Sequence, residues 1–374
     1  MAKNKVMALT ISFLMLFAFG AVLIGGAENV SAGTISGTDY TIDYIDIDGG
    51  TAIRLTNYLG SAVILDLSSD VDGKPIKELG NGLFQGNDYL TEIILHPDLE
   101  KIGDNAFAAC VSLEEVVLPN GLTHIGTSAF DGCSSLTAIE IPGGVEKIGE
   151  GAFRNCGALT DITIQDGVEE IGVAAFRNCA ALETIALPDS VTDIRLNAFA
   201  GCAQLSDLDL GEGVVNIRSN AFEGCVALVE VTIPDSVQNI ENKAFDGCTA
   251  LETIKFGTGV TTLGQNVLIG CTSLEFIDFD GDAPTVLNDV VTDNLDAVVR
   301  YYAGATGFTD GEKWMGLTTQ AMGGDPDPDP EPVPDPEPPA GSDDGDQGIG
   351  MDMYVYAAVV IAILVGIVLY FRRS

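Results

Sequence analysis

The feature that most constrains this chain is a repeat of fixed length. The stretch at residues 113–133, LEEVVLPNGLTHIGTSAFDGC, returns at an unvarying interval of 23 residues. Leucines at 90, 113, 136, 159, 182, 205, 228, 251 and 274 open the units, and cysteines at 110, 133, 156, 179, 202, 225, 248 and 271 close the first eight. Such a period marks a solenoid, in which each unit is one supersecondary element that buries its apolar face only against its neighbours. A single unit has too few large apolar side chains to offset the entropy of ordering its own backbone, so the copies must stack.

Within the unit the apolar positions are fixed: Leu113, Val116, Leu118, Leu122, Ile125, Ala129, Phe130 and Cys133. Val116 and Leu118 alternate with Glu115 and Val117, the period-two pattern of a strand with one buried face. Pro119 and Asn120-Gly121 end it, because proline lacks the N–H a ladder needs and Asn-Gly turns the chain; Pro142, Pro188 and Pro234 repeat the corner. A second short extended run, residues 122–125, forms the next edge. Ala129 and Phe130 follow a Gly126-Thr127-Ser128 segment and Gly132 precedes the cysteine, which predicts a tight helical or 3₁₀ turn with a glycine exit.

The unit L-x-x-[VI]-x-[IL]-P-x-x-V-x-x-I-G-x-x-A-F-x-x-C resembles the BspA-like leucine-rich repeat of microbial surface proteins, over about residues 58–318. The resemblance implies a leucine-rich repeat solenoid of short parallel β-strands joined by tight turns or short 3₁₀ segments, with β-rich caps. It also implies a role in adhesion or ligand binding at the cell surface. The chain departs from the pattern at Gln165, Gly211 and Gly257, where proline is usual, and at Arg195, Arg218 and Glu241, where glycine is usual. None of these is a core position.

Composition bounds the partners. With 55 acidic against 17 basic residues the formal net charge is −38, which repels phosphate, so nucleic acid is not an expected partner. Lys3 and Lys5 precede an apolar run at residues 6–24, and Val30-Ser31-Ala32 offers a small-residue cleavage site, so residues 1–32 read as an export signal, either cleaved or kept as an anchor. The sole Asn-x-Ser/Thr sequon, at Asn29, precedes that cut.

Residues 33–89 read as an N-terminal β cap and an irregular first repeat. Tyr40, Ile42, Tyr44, Ile45, Ile47, Ile53 and Leu55 flank Asp48-Gly49-Gly50 as a hairpin, and Asn87 stands where later units have cysteine. Asp46-x-Asp48-Gly opens like a calcium loop, but Tyr44 and Leu55 occupy its first and last ligand positions, so no metal is expected. Residues 90–279 form the array and 280–321 a C-terminal cap, with residues 298–302 as a last strand and Trp314 as a covering side chain. Residues 322–350 form an acidic, proline-rich stalk that favours an extended chain of about 3.1 Å per residue. Within residues 351–374, the uninterrupted apolar run 354–371 predicts a transmembrane helix of roughly 27 Å, with Arg372 and Arg373 on the cytoplasmic side. The expected location is the cell membrane, single-pass, with the repeats outside.

Eight cysteines in an exported chain would ordinarily suggest disulfides, yet each holds the same inward place in its coil. Strands about 4.8 Å apart carry parallel Cβ vectors, at or beyond disulfide geometry, so buried free thiols are expected. His96 and His124, both expected at the surface, lack partners at zinc or triad spacing, and no phosphate-cradling loop occurs. Neither an enzyme nor a cofactor is expected. The outward strand positions form two columns, and the candidate ligand-facing strip comprises Glu92, Glu115, Glu140, Asp161, Asp207, Asp209, Glu230 and Phe276, with Glu92 facing Glu115 and Asp207 facing Glu230. It would bind cations or a basic ligand, or else be the ordinary solvated face of an acidic protein. The expected partner is an extracellular protein, glycan or cell surface; the alternative is an envelope component that self-associates.

Overall fold

The computed structural model describes residues 33–34, 40–47, 50–286 and 296–322, all within the first of the chain's two units, Met1–Pro326. The export signal, the stalk and the apolar run at 354–371 lie outside the described residues. Among the described residues no helix is long and apolar enough to cross a membrane.

Each coil contributes a strand to two faces, one a continuous sheet and the other divided among four shorter sheets. The strands Glu92–Ile94, Glu115–Val116, Ala138–Ile141, Asp161–Ile164, Thr184–Ala186, Asp207–Asp209, Glu230–Ile233, Thr253–Phe256 and Phe276–Phe279 line one face. Their register is the sequence period made spatial: Ala138 pairs with Asp161, Thr184 with Asp207, Glu230 with Thr253. The second sheet is built from two-residue strands such as His124–Ile125 and Lys147–Ile148. It runs unbroken through twelve strands, from Tyr40–Ile47 to Thr285–Val286. The extended run anticipated at residues 122–125 is thus a strand only at its last two residues.

The remaining corner is neither α-helix nor 3₁₀. It is a chain of tight turns in which successive N–H groups alternate between their own coil and the next. Ala129, Asp131 and Cys133 donate to Gly126, Ser128 and Phe130, three residues back, while Ser128, Phe130 and Gly132 donate to Glu150, Ala152 and Arg154 of the following coil. A 3₁₀ helix would spend every N–H locally; here half of them hold neighbouring coils together. The geometry needs two left-handed residues per coil. One falls at Asn105, Ser128, Gly151, Ala174, Asn197, Asn220, Lys243 and Asn266, the other at Ala109, Gly132, Asn155, Asn178, Gly201, Gly224, Gly247 and Gly270. Asparagine and glycine dominate both columns because they enter this region most cheaply.

Between the sheets and the turns lies one continuous core. Phe84, Phe107, Phe130, Phe153, Phe176, Phe199, Phe222 and Phe245 stack with centroids 4.9 to 5.4 Å apart and planes within 20°. Tyr58 closes the stack at the N-terminal end and Leu268 ends it at the other. Every cysteine is buried and unpaired, in agreement with the sequence. Each also donates its S–H to a phenylalanine carbonyl of the preceding coil, as Cys133 does to Phe107 at 3.1 Å and Cys225 to Phe199 at 3.4 Å. Asn87, at the position of the missing first cysteine, instead accepts the N–H groups of Tyr89 and Leu90.

Both caps are β structure. At the N-terminus the antiparallel hairpin Tyr40–Ile47 and Gly50–Tyr58 joins the short-strand sheet, covering its first edge. At the C-terminus Val298–Tyr302 is not the last strand. Leu317–Met322 pairs parallel beyond it, and Lys313–Trp314 folds back antiparallel on that. Leu317 and Thr319 alternate inward there, so the strand follows from period-two burial alone, without a repeat leucine. The loop at 310–312 caps its outer edge, Gly311 donating to Thr319 and Asp310 accepting from Ala321. Trp314 packs edge-on against Phe279 at 5.3 Å, as a covering side chain should.

The phenylalanine stack makes one substitution diagnostic. Phe153→Ala removes a ring from between Phe130 and Phe176 and should destabilise the array by about 3–5 kcal/mol, whereas Phe153→Leu should cost less than half of that, about 1–1.5 kcal/mol. Urea unfolding followed by circular dichroism checks both; an equally large loss for the two would show that the ring stacking rather than the filled volume carries the stability, and no loss for either would show that the ring contributes nothing.

Candidate functional site

The long-strand face carries the anticipated strip, and its residues sit as follows. Glu115, Glu140, Asp161, Asp207, Asp209 and Glu230 are exposed, while Glu92 and Phe276 are half-buried. Glu92 pairs directly with Glu115. Asp207 and Glu230 do not pair: the ladder lapses between their strands, and also between Glu115–Val116 and Ala138–Ile141 and between Asp161–Ile164 and Thr184–Ala186. Strands of two to four residues make few ladder bonds, and opposed carboxylates weaken the Asp207–Glu230 join further. Glu140 accepts from Gln165 at 2.6 Å, Asp161 from Thr160 at 2.8 Å and Asp209 from the Gly211 N–H at 3.0 Å. Beside them Val117 is 71% exposed and Ile94 42% exposed.

No cation within these strands neutralises the run. The strand segments from Glu92–Ile94 through Glu230–Ile233 contain no lysine, arginine or histidine. The situation reverses at the C-terminal end. Arg300 donates from Nε to Asp278 at 2.6 Å and lies 3.9 Å over the ring of Phe276, and Lys255 pairs with Asp280 at 2.7 Å. The hydrogen bonds they donate to these carboxylates hold both cations firmly charged. Phe276 is therefore covered by a cation of its own chain, and the free acidic surface lies N-terminal to it. An open hollow of about 600 Å³ beside Phe276 is lined by Glu252, Glu275 and Asp296. Among the described residues no group of three His, Cys, Asp or Glu is placed to hold a metal ion.

The short-strand face is where the cations are. Lys147 lies 3.5 Å from Glu170, which accepts from Arg195 at 3.0 Å; Arg195 approaches Asp193, and Arg218 bridges Asp193 at 2.8 Å to Glu241 at 2.9 Å. Burial works to raise the Glu241 carboxyl, but bonds from Arg218 and Ser219 outweigh it and hold it below its usual value. Three members, Arg195, Arg218 and Glu241, are the very departures from glycine in the repeat. Their occurrence in consecutive units, two cations followed by an anion, was the available signal.

His96 is buried, 4% exposed, against the expectation of a surface position. It takes the place held by proline in later coils, and both ring nitrogens are satisfied: Nδ1 accepts the Asp98 N–H at 3.1 Å and Nε2 lies 3.1 Å from Asp70. With Nδ1 accepting, the neutral ring carries its proton on Nε2 and donates to Asp70. His124 is exposed, flanked across the sheet by Lys101. Burial pushes the Cys110 and Cys202 thiols up to about 12 and raises those of Cys133, Cys156, Cys179 and Cys225 as well, so these six are poor nucleophiles.

Fold and surface together define a leucine-rich repeat solenoid with an uncovered strand face. The profile of the BspA type Leucine rich repeat region matches residues 73–183 and 169–291 in six copies, and the chain belongs to that family. Its fold is similar to that of a leucine-rich repeat protein from Bacteroides ovatus, with 20% identity and a TM-score of 0.54 over 77% of this chain and 90% of that one. A leucine rich repeat protein from T. pallidum is 27% identical over 62% of this chain and 87% of its own, with a TM-score of 0.37. A leucine rich cell surface protein from Faecalibacterium prausnitzii is 20% identical over 66% and 95%, with a TM-score of 0.32. No curated protein matches the sequence.

Thiol reactivity tests the core directly. The folded chain should resist alkylation at neutral pH, and all eight cysteines should be modified in denaturant without reductant. Intact mass reads the result, and a denatured chain with none modified would mean disulfides.

Proposed function

We propose that this chain is a membrane-tethered, outward-facing binding module whose long-strand face engages a basic extracellular partner, either a protein or the surface of another cell. It is a non-enzymatic role of passive display. The observation that carries the reading is the long-strand face, whose seven strands from Glu92 to Ile233 carry acids in six and no basic side chain, while Lys147, Arg195 and Arg218 of the short-strand face pair with acids beside them. A protein with no use for that face could have distributed its cations over it. Tethering is supported by the sequence: an export signal, a Pro/Asp/Glu stalk and an apolar run followed by arginines.

The strip holds few aromatic anchors, so each contact is weak and many copies on one cell would bind by avidity. Self-association through this face is disfavoured, because it would set carboxylates against carboxylates. An envelope role would have to use another surface.

Cells displaying the full chain should capture a polycationic peptide, beads coated with a basic protein, or whole cells, and capture should fall with added salt. Exposed ion pairs contribute about 0.2–1 kcal/mol each, so the combined change Glu115→Lys, Asp161→Lys and Asp207→Lys should weaken capture by about tenfold. Capture indifferent to both salt and the triple change would remove the strip from the function. Concentration-dependent assembly in sedimentation without any added ligand would favour the envelope role.

A further inference from the structure

The described residues hold two Asn-Gly dipeptides, Asn81-Gly82 and Asn120-Gly121, and the fold treats them in opposite ways. The geometry points to Asn120 as a site of spontaneous backbone modification by deamidation through a succinimide, with Asn81 protected. In this reaction the Gly121 backbone nitrogen attacks Cγ of Asn120. An N–Cγ bond forms, the Cγ–Nδ2 bond breaks and ammonia leaves with the amide proton. Water then opens the ring at either carbonyl, giving aspartate or, by the other opening, isoaspartate. No oxidant or reductant is involved.

Three observations separate the two sites. Asn120 and Gly121 are both exposed at the corner that leaves the long-strand face, whereas at the other site Asn81 is exposed but Gly82 is half-buried. Asn120 and Gly121 are the central residues of a turn closed by Leu122 donating to Pro119 at 3.0 Å, and neither the Asn120 amide nor the Gly121 N–H makes a hydrogen bond in the described structure. At the other site both reacting groups are occupied. The Gly82 N–H donates to the Asp104 carbonyl at 2.8 Å, and Asn81 Oδ1 accepts the Asp104 N–H at 2.9 Å. Reaction at Asn81 thus requires that two inter-coil bonds open first.

The consequences of the two products differ. Aspartate at 120 is what other coils already carry in the same column, and Asp189 and Asp235 there accept the N–H groups of Glu212 and Thr258 at 2.8 and 2.6 Å. It adds one carboxylate three residues beyond the exposed Val117. Isoaspartate instead routes the main chain through the side-chain carboxyl, lengthening the corner by one atom between the buried Leu118 and Leu122.

A clean control exists. A Cβ on Gly121 would find its nearest neighbour, the Leu99 carbonyl oxygen, at 4.0 Å, and the residue is not left-handed, so Gly121→Ala fits the corner while hindering attack by the backbone nitrogen. The full chain would be incubated in warm, mildly alkaline buffer, folded and in urea, then peptide-mapped by mass spectrometry with isoaspartate detection. The folded chain should convert at Asn120, with Asn81 slower by at least about tenfold because its two hydrogen bonds must break. Urea should erase the difference, and Gly121→Ala should suppress conversion at 120 with an unchanged melting temperature. Equal rates at the two sites in the folded chain, or an Asn120 that converts only in urea, would overturn the assignment.

Discussion

Each coil of this chain satisfies its polar backbone through the next one, and that single dependence explains most of the architecture. Main-chain groups buried without partners are costly, so a short strand or an open turn cannot survive alone. Within the array the strands pair only with their equivalents 23 residues away, and the turn corner sends alternate N–H groups forward, as Phe130 does to Ala152 and Gly132 to Arg154. The thiols follow the same logic, each donating to a phenylalanine carbonyl of the coil before. An insertion of even one residue would break all of these at once, which is why the period does not slip anywhere from Leu90 to Leu274.

The ends of such a stack are its weak points, because there the partners run out. The chain answers with elements of a different kind. The hairpin ending at Tyr58 supplies a paired strand to the short-strand sheet and an aromatic ring to the phenylalanine stack. At the far end Leu268 stops that stack, while Phe256 and Phe279 begin a second aromatic cluster that Phe308 and Trp314 complete. The same cap brings Arg300 onto Asp278 and Phe276, so it closes the acidic face as well as the core.

What the sequence disclosed depended on whether a signal repeated. Leucine, phenylalanine and cysteine recur at identical positions, so the solenoid, its register and its free thiols are legible in the order of residues alone. The left-handed columns were harder to see: Asn197, Asn220 and Asn266 announce one of them, but Ser128, Ala174 and Lys243 occupy the same place and mask it. Single events carried no period at all. The burial of His96 depends on Asp70, which lies in the irregular first coil, and the strand Leu317–Met322 follows the last repeat leucine by a whole cap. The charged ladder through Arg195 and Arg218 joins residues 23 to 25 apart, so a local reading of glycine replaced by arginine sees only a departure. Of the candidate strip, the positions were legible and the lapse of the ladder between Asp207 and Glu230 was not, because strands of two to four residues make few ladder bonds and the pattern of side chains does not record which of them form.

The spacing of charge along the strip bears on how an acidic face can exist without unfolding its own sheet. Adjacent strands are about 4.8 Å apart, and residues two coils apart are therefore separated by roughly 9.6 Å. At physiological salt the screening length is about 8 Å, so carboxylates in neighbouring coils repel one another while those two coils apart scarcely do. In the first column Asp161 and Asp207 are separated by Thr184, and Ala138 lies between Glu115 and Asp161, so the middle three acids are set two coils apart, while Glu92 with Glu115 and Asp207 with Glu230 fall in neighbouring coils. Of the two neighbouring-coil pairs only Glu92 and Glu115 are joined by strand pairing, with Glu92 half-buried, while the ladder lapses between Asp207 and Glu230. The arrangement keeps self-repulsion small within the protein. A partner with cationic groups spaced one to two coils apart would nonetheless meet unneutralised carboxylates from Glu92 to Glu230, because no basic side chain of the long strands intervenes until Lys255.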